Sequence, residues 1–208
     1  MRLYVVEYCS FNTQANYNSS KTTDGYMQGG LGAGVSNISD WNGLNGYNPV
    51  NPCGVTLRLG NNTGIVKYTQ GSYTTYVPSY RGIENPFGNI WKWTDGLNKY
   101  DTQVYVCDDI TKFADDTSTN YDYRGNCSTG GWITNVLWDE NGEFVPNGVG
   151  GSESSYFYDY SWYNPGWRVC VSGGGAHHGG DDGLFCFAVY DVSSYASAAV
   201  GGRLYYTP

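Results

Sequence analysis

At 208 residues, with 30 glycines, 21 tyrosines, seven tryptophans and only 14% charged residues, the chain can bury one substantial core but is too poor in helix formers for a helical bundle. A net charge of −8 without a lysine- or arginine-rich run excludes nucleic acid as the main partner. No stretch reaches the length of a membrane span, and the opening MRLYVVEYCS falls short of a signal peptide's hydrophobic region, so the expected product is made in the cytoplasm, without a leader and without membrane insertion.

The first strand expected is Leu3–Tyr8. The next glycine-rich run, Gly29–Gly34, lacks the Lys-Ser/Thr ending of a phosphate loop and reads as a plain loop. Val55–Leu59 and Gly64–Thr69 are expected to pair as a hairpin around Gly60-Asn61-Asn62-Thr63, whose Gly and Asn suit positive backbone angles. Tyr80–Asn98 is dense in aromatics and turn formers, with Trp91 and Trp93 expected in the core. Thr102–Cys107 alternates like a strand, Ile110–Thr119 is polar with room for one helical turn, and Ile133–Trp138 is another strand. Asn141-Gly142 reads as the turn before Phe144-Val145-Pro146. No repeat, linker or long amphipathic helix divides the chain, so residues 1–208 are read as one domain, with 1–50 as a docking or oligomerisation segment.

Tyr156–Leu204 is the most distinctive stretch. Strand-like Trp167–Ser172 and Gly183–Tyr190 flank a glycine-rich loop holding both histidines. In Leu184–Tyr190, alternation places Phe185, Phe187 and Val189 on a core face and Cys186, Ala188 and Tyr190 on an outward one. In the aromatic run Tyr156–Tyr163, Tyr156, Tyr158, Tyr160 and Trp162 share one face, while Phe157, Asp159, Ser161 and Tyr163 share the other. Exposed rings of this kind stack on sugars or anchor protein interfaces. His177, His178, Asp181 and Asp182 form either a contact loop or a metal cluster. Neighbouring residues of an extended loop point apart, which favours the contact loop. The six cysteines (Cys9, Cys53, Cys107, Cys127, Cys170, Cys186) are widely spaced with no CxxC pair and read as reduced, partly buried thiols.

Three motifs in order carry a resemblance. Phe87-Gly88-Asn89-Ile90-Trp91-Lys92-Trp93, then Arg168-Val169 with Gly173-Gly174-Gly175, then Gly201-Gly202-Arg203-Leu204 resemble signatures of formylglycine-generating-enzyme-like domains, a branch of the C-type lectin fold. Within that superfamily, the succession Tyr80–Gly96, Phe144–Pro146, Gly150–Ser152, Asp159-Tyr160, Gly166–Val169, Gly173-Gly174, Gly183–Phe185 and Gly201–Leu204 is similar to variable proteins of diversity-generating retroelements in phages and prophages of gut Bacteroides-type bacteria. The best-matched part is 80–208. The resemblance implies an α+β C-type lectin fold and adenine-directed rewriting of selected codons near the C-terminus, which cannot create Lys, Glu, Gln, Met or Trp. Ser154–Pro208 contains no Lys, Glu, Gln or Met, although all four occur upstream, and Trp162 and Trp167 would then be frame residues.

The resemblance implies a phage or prophage virion protein that binds a protein or glycan on the host surface and contacts other virion proteins, as a homo-oligomer with a trimer favoured. The expected contact residues are Tyr156, Tyr158, Tyr160, Ala176, His177, His178, Asp181, Asp182, Cys186, Ala188, Tyr190, Asp191 and Tyr195. Trp167, Arg168, Gly173, Gly174, Phe185 and Gly201–Leu204 are expected to hold the frame. No cofactor, metal or catalytic residue is expected. A carbohydrate-binding lectin outside any phage and a formylglycine-generating-type oxidase are the competing readings. The oxidase's closely spaced cysteine pair has no counterpart in Gly173–Asp182, although Cys170 and Cys186 flank that loop.

Overall fold

A computed structural model describes residues 54–70, 73–87, 90–138, 144–152, 159–175, 178, 181, 183, 185–197 and 199–202. Strands β1 (Gly64–Gln70), β2 (Tyr73–Tyr80) and β3 (Ile83–Glu84) form one antiparallel sheet. The remaining strands are β4 (Trp91–Tyr100), β5 (Gln103–Val106), β6 (Asp122–Asn126), β7 (Gly131–Trp138), β8 (Phe144–Val149), β9 (Tyr160–Tyr163), β10 (Trp167–Ser172), β11 (Phe187–Val189) and β12 (Val200–Gly201). They make a nine-stranded sheet in the order β6-β5-β4-β10-β11-β9-β7-β8, with β12 alongside β4. Pairing is antiparallel except for β9 with β11 and β12 with β4, which run parallel.

The expected α+β architecture, that of the C-type lectin fold, is corrected. The chain is a β protein, and among the described residues helical geometry is limited to short 3-10 turns at Leu57–Leu59, Ile110–Lys112 and Asp181. The physical reason lies in the residues themselves. In the strands apolar side chains recur with period two, and among the described residues no 3.6-residue stripe is present to bury a helix face. Apart from the single turn expected in Ile110–Thr119, the helical component of the expectation rests on the resemblance.

The expected hairpin between Val55–Leu59 and Gly64–Thr69 also differs. β1 pairs with β2, while residues 54–59 turn away. The Glu84 carboxylate accepts hydrogen bonds from Gly54 N at 2.8 Å, Thr56 N at 2.5 Å and Thr56 Oγ1 at 2.7 Å. Backbone donors that a ladder would have needed are thus committed to a side chain distant in sequence. Strands expected at Thr102–Cys107, Ile133–Trp138 and Trp167–Ser172 are found as β5, β7 and β10. The helical turn expected within Ile110–Thr119 is the 3-10 turn capped by Asp109, whose carboxylate accepts from Thr111 N at 3.0 Å. Leu3–Tyr8, Gly29–Gly34, Asn141-Gly142 and the 1–50 segment lie outside the described residues.

The large sheet has an inner and an outer face, and both are packed. On the inner face, Leu97, Val104, Val106, Cys170, Phe187 and Val189 meet Phe87, Ile133, Val136, Phe144, Val145 and Phe185. Phe144 sets its ring edge-on to Phe185, with centroids 5.4 Å apart. On the outer face, Val171, Cys186 and Ala188 lie under Trp91, Trp93, Trp162 and Val200. β4 reaches both layers because it is bulged. Cys170 pairs with Thr94 but its neighbour Val169 pairs with Asn98, so residues 95–97 loop out. Gly96 sits at the bend with φ +80°, and a Cβ there would stand 2.7 Å from both Cys107 O and the Phe113 ring.

Candidate ligand-contact surface

β9 is short, and its alternation is the one expected from the sequence. Asp159 precedes the strand and is fully buried, as is Ser161, whereas Tyr160 and Trp162 are half-buried on the outer face. Register extends this face across the sheet, since Trp162 lies opposite Ala188, Ala188 opposite Val171, and Val171 opposite Trp93. The rings form a continuous array. Trp132 meets Tyr160 edge-on at 5.3 Å, Tyr160 meets Trp162 at 4.7 Å, and Trp162 meets Trp91 edge-on at 5.3 Å. His178, from the glycine-rich loop, packs against Trp91 at 5.3 Å and Trp162 at 5.1 Å. Two residues expected to contact ligand, Tyr160 and His178, therefore belong to one aromatic cluster. Asp181 is one turn from it, with its N–H donating to His178 O at 3.2 Å.

Cys186 and Ala188 are not on an exposed face. They are 0% and 3% accessible, because the tryptophans of β4 and β9 close over them. The alternation along β11 is the expected one, but the second face is covered by strands remote in sequence. Tyr190, Asp191 and Tyr195 lie beyond the end of β11 opposite His178. Tyr190 and Tyr195 are exposed, and Val169 N donates to Asp191 O at 3.2 Å. Burial pushes the Asp191 carboxyl up, against the opposing pull of the Arg168 guanidinium. Ser193 Oγ donates to Asp116 Oδ2 at 2.7 Å, tying this segment to the loop after β5. The expected contact residues thus separate into two groups at the two ends of β10 and β11. Tyr156, Tyr158, Ala176, His177 and Asp182 lie outside the described residues.

The expected frame residues have clear roles where they are described. Gly173 and Gly174 are buried with φ of +86° and +78°, a conformation that side chains with a Cβ seldom adopt, and Gly173 N donates to Cys186 O at 2.9 Å. Phe185 is in the inner core. Trp167 is half-buried, and Arg168 Nη1 donates to Trp167 O at 2.6 Å. Cys170 and Cys186 do not face one another. Cys170 belongs to the inner layer and Cys186 to the outer, and burial pushes the Cys170 thiol up to about 12. Cys107 and Cys127 are likewise free and buried.

Two buried ionisable groups anchor the frame beneath the outer face. Asp159 Oδ2 accepts from Phe185 N at 2.6 Å, and Cys186 N donates to the same carboxyl. Full burial pushes this carboxyl well above the ordinary carboxylate range, and its Oδ1 has no hydrogen-bond partner among the described residues. Lys99 is 0% accessible, with Nζ donating to Asn164 O and standing 4.1 Å from the Tyr163 ring centroid. Burial pulls its ammonium down to about 8, with the Cys127 thiol opposing, Arg168 adding to the fall and Asp101 opposing. Sequence reasoning passes over Lys99 and Trp132. A signal for Lys99 exists, since it shares strand parity with Leu97 and so has to point inward.

No family model, curated protein or solved structure matches the chain.

Proposed function

We propose that this protein is a receptor-binding or adhesion module of a phage or prophage virion, binding a protein or glycan on the bacterial surface through the outer face of its C-terminal strands and loops. The observation that carries the reading is the half-exposed array Trp132–Tyr160–Trp162–His178, set on a frame with both sheet faces packed. Such an array offers large, rigid contact area at low conformational cost, and its neighbours can change without disturbing the core. The absence of Lys, Glu, Gln and Met from Ser154–Pro208 supports diversification by adenine-directed mutagenesis. Several copies on one particle, as in a trimer held by other virion proteins, would turn weak single contacts into firm attachment.

Fluorescently labelled protein is expected to stain intact cells of the bacterium that carries the gene. Tyr160→Ala and His178→Ala should each reduce staining about tenfold while leaving thermal unfolding within a few degrees of wild type. Absence of staining, or staining that both variants leave unchanged, would overturn the reading. Diversification has its own test in the downstream DNA, where a near-identical template repeat differing only at adenines is expected beside a reverse transcriptase gene.

A further inference from the structure

A second row of aromatic rings lies on the outer face at the other end of the sheet. Tyr123 of β6 meets Tyr105 of β5 with centroids 5.8 Å apart, Tyr105 meets Trp167 of β10 at 6.2 Å, and Trp167 meets Tyr100 of β4 at 5.1 Å. Cross-strand register puts them on one face, with Tyr105 opposite Tyr123 and Trp167 opposite Tyr100. Tyr123 is 53% and Tyr100 44% exposed, far more than core aromatics of this size allow. The core is on the opposite side, under Val104 and Val106. These rings therefore contribute little to the interior they would ordinarily be expected to fill.

We infer that this row is a binding platform for a neutral glycan chain, separate from the Tyr160–Trp162–His178 cluster. Three arguments select that occupant. The row is made of rings, three of them bearing hydroxyls, so it suits a partner with apolar C–H faces and hydroxyl edges together. Its border is polar: Gln103 Oε1 accepts from Tyr105 Oη at 3.0 Å, Thr102 Oγ1 donates to Asn126 Oδ1 at 3.2 Å, and Asp101 Oδ1 accepts from Gly166 N at 2.9 Å. Side chains of this kind can exchange such bonds for bonds to sugar hydroxyls. The charge at the border excludes an anionic polymer, because Asp101 and Asp122 lie there and Arg124 is already engaged by Asp122 at 3.7 Å.

The rings are spread over four neighbouring strands, Tyr123 on β6, Tyr105 on β5, Tyr100 on β4 and Trp167 on β10, rather than closing round a point, which suits an extended chain and not a single cation in an aromatic cage. Successive planes are tilted by 59°, 39° and 50°, so the platform is twisted. A twisted row follows one flexible chain better than the flat face of a crystalline polymer.

The test is native gel electrophoresis of the full chain through gels containing dextran, yeast mannan, galactomannan, mixed-linkage β-glucan or, as the anionic control, alginate. At least one neutral polysaccharide is expected to retard the wild type. Tyr123→Ala and Tyr100→Ala should each weaken retardation about tenfold while lowering the melting temperature by no more than a few degrees, since about half of each residue is in solvent. Retardation that Tyr160→Ala abolishes while Tyr123→Ala and Tyr100→Ala leave it intact would place glycan binding on the host-contact surface and overturn the inference, whether or not cells are stained. No retardation by any neutral polysaccharide, retardation by alginate alone, or retardation insensitive to both substitutions would overturn the inference.

Discussion

Gly183→Ala is expected to cost about 3 kcal/mol of stability, at the upper end of what one added methyl group does in a packed interior. A Cβ on Gly183 would stand 2.3 Å from Asp159 Oδ1 and 2.7 Å from both Cγ and Oδ2. A carboxylate tip can usually swing aside, but this one cannot. It is fully buried and holds the N–H groups of Phe185 and Cys186, so moving it leaves buried donors unpaired. Asp159→Ala should itself destabilise by about 2 kcal/mol for that reason. Combining the two should be strongly non-additive, because Asp159→Ala removes the atoms that Gly183→Ala strikes. Chemical denaturation of the two single variants and the double variant checks this. Additive losses would show that the close approach is not what makes glycine necessary.

The same carboxyl gives a pH signature. Its folded-state pKa is raised, so its contribution to stability is fully present below the unfolded value near 4 and is lost as pH rises toward the folded one. Asp191 and Asp115, also raised by burial, act in the same direction. Asp159→Asn keeps an acceptor for the two backbone donors and cannot ionise. The stability difference between wild type and Asp159→Asn should therefore shift in favour of Asn as pH climbs from 4 through neutrality.

Lys99→Met is expected to stabilise the protein, by about 1–4 kcal/mol at pH 7, the range seen when buried charges give way to apolar side chains of similar volume. Lys99 has the Asn164 carbonyl and the Tyr163 ring face for partners, but among the described residues no carboxylate forms a salt bridge with it. Here the folded pKa of about 8 lies below the unfolded value near 10.4, so between these values the unfolded state binds more protons and stability rises with pH. Cys127, pushed up to about 11 by burial, opposes that rise above pH 9, which is why the comparison must be made against the methionine variant. The advantage of Lys99→Met should shrink as pH goes from 8 toward 10. A variant less stable than wild type at pH 7 would mean that the cation holds the turn after β9 in place.

The sequence is legible where a short segment determines its own geometry. Alternation locates β5, β7 and β10 and sorts Tyr160 and Trp162 from Asp159 and Ser161. It fails where the decisive partner is remote. Nothing near Thr56 says that Glu84 will take its backbone N–H, and nothing near Ala188 says that tryptophans of β4 and β9 will cover it. The same limit explains the surface. Tyr100, Tyr105, Tyr123 and Trp167 are unremarkable singly and become a row only once β6, β5, β4 and β10 lie side by side. Among the described residues, the helices expected from the resemblance are reduced to short 3-10 turns.

The placement of β4 also governs the order of assembly. Its partner β5 comes next across a two-residue turn, but β10 lies far downstream and β12 almost at the end of the described chain. During synthesis the β4-β5-β6 meander and the β7-β8 hairpin can form early, each from local contacts, while the tryptophans of β4 remain uncovered until β10–β12 emerge. The C-terminal segment thus closes the molecule last. Changes of side chain there would act on a docking step rather than on nucleation, so the rate of folding should be buffered against the very substitutions that alter what the surface recognises.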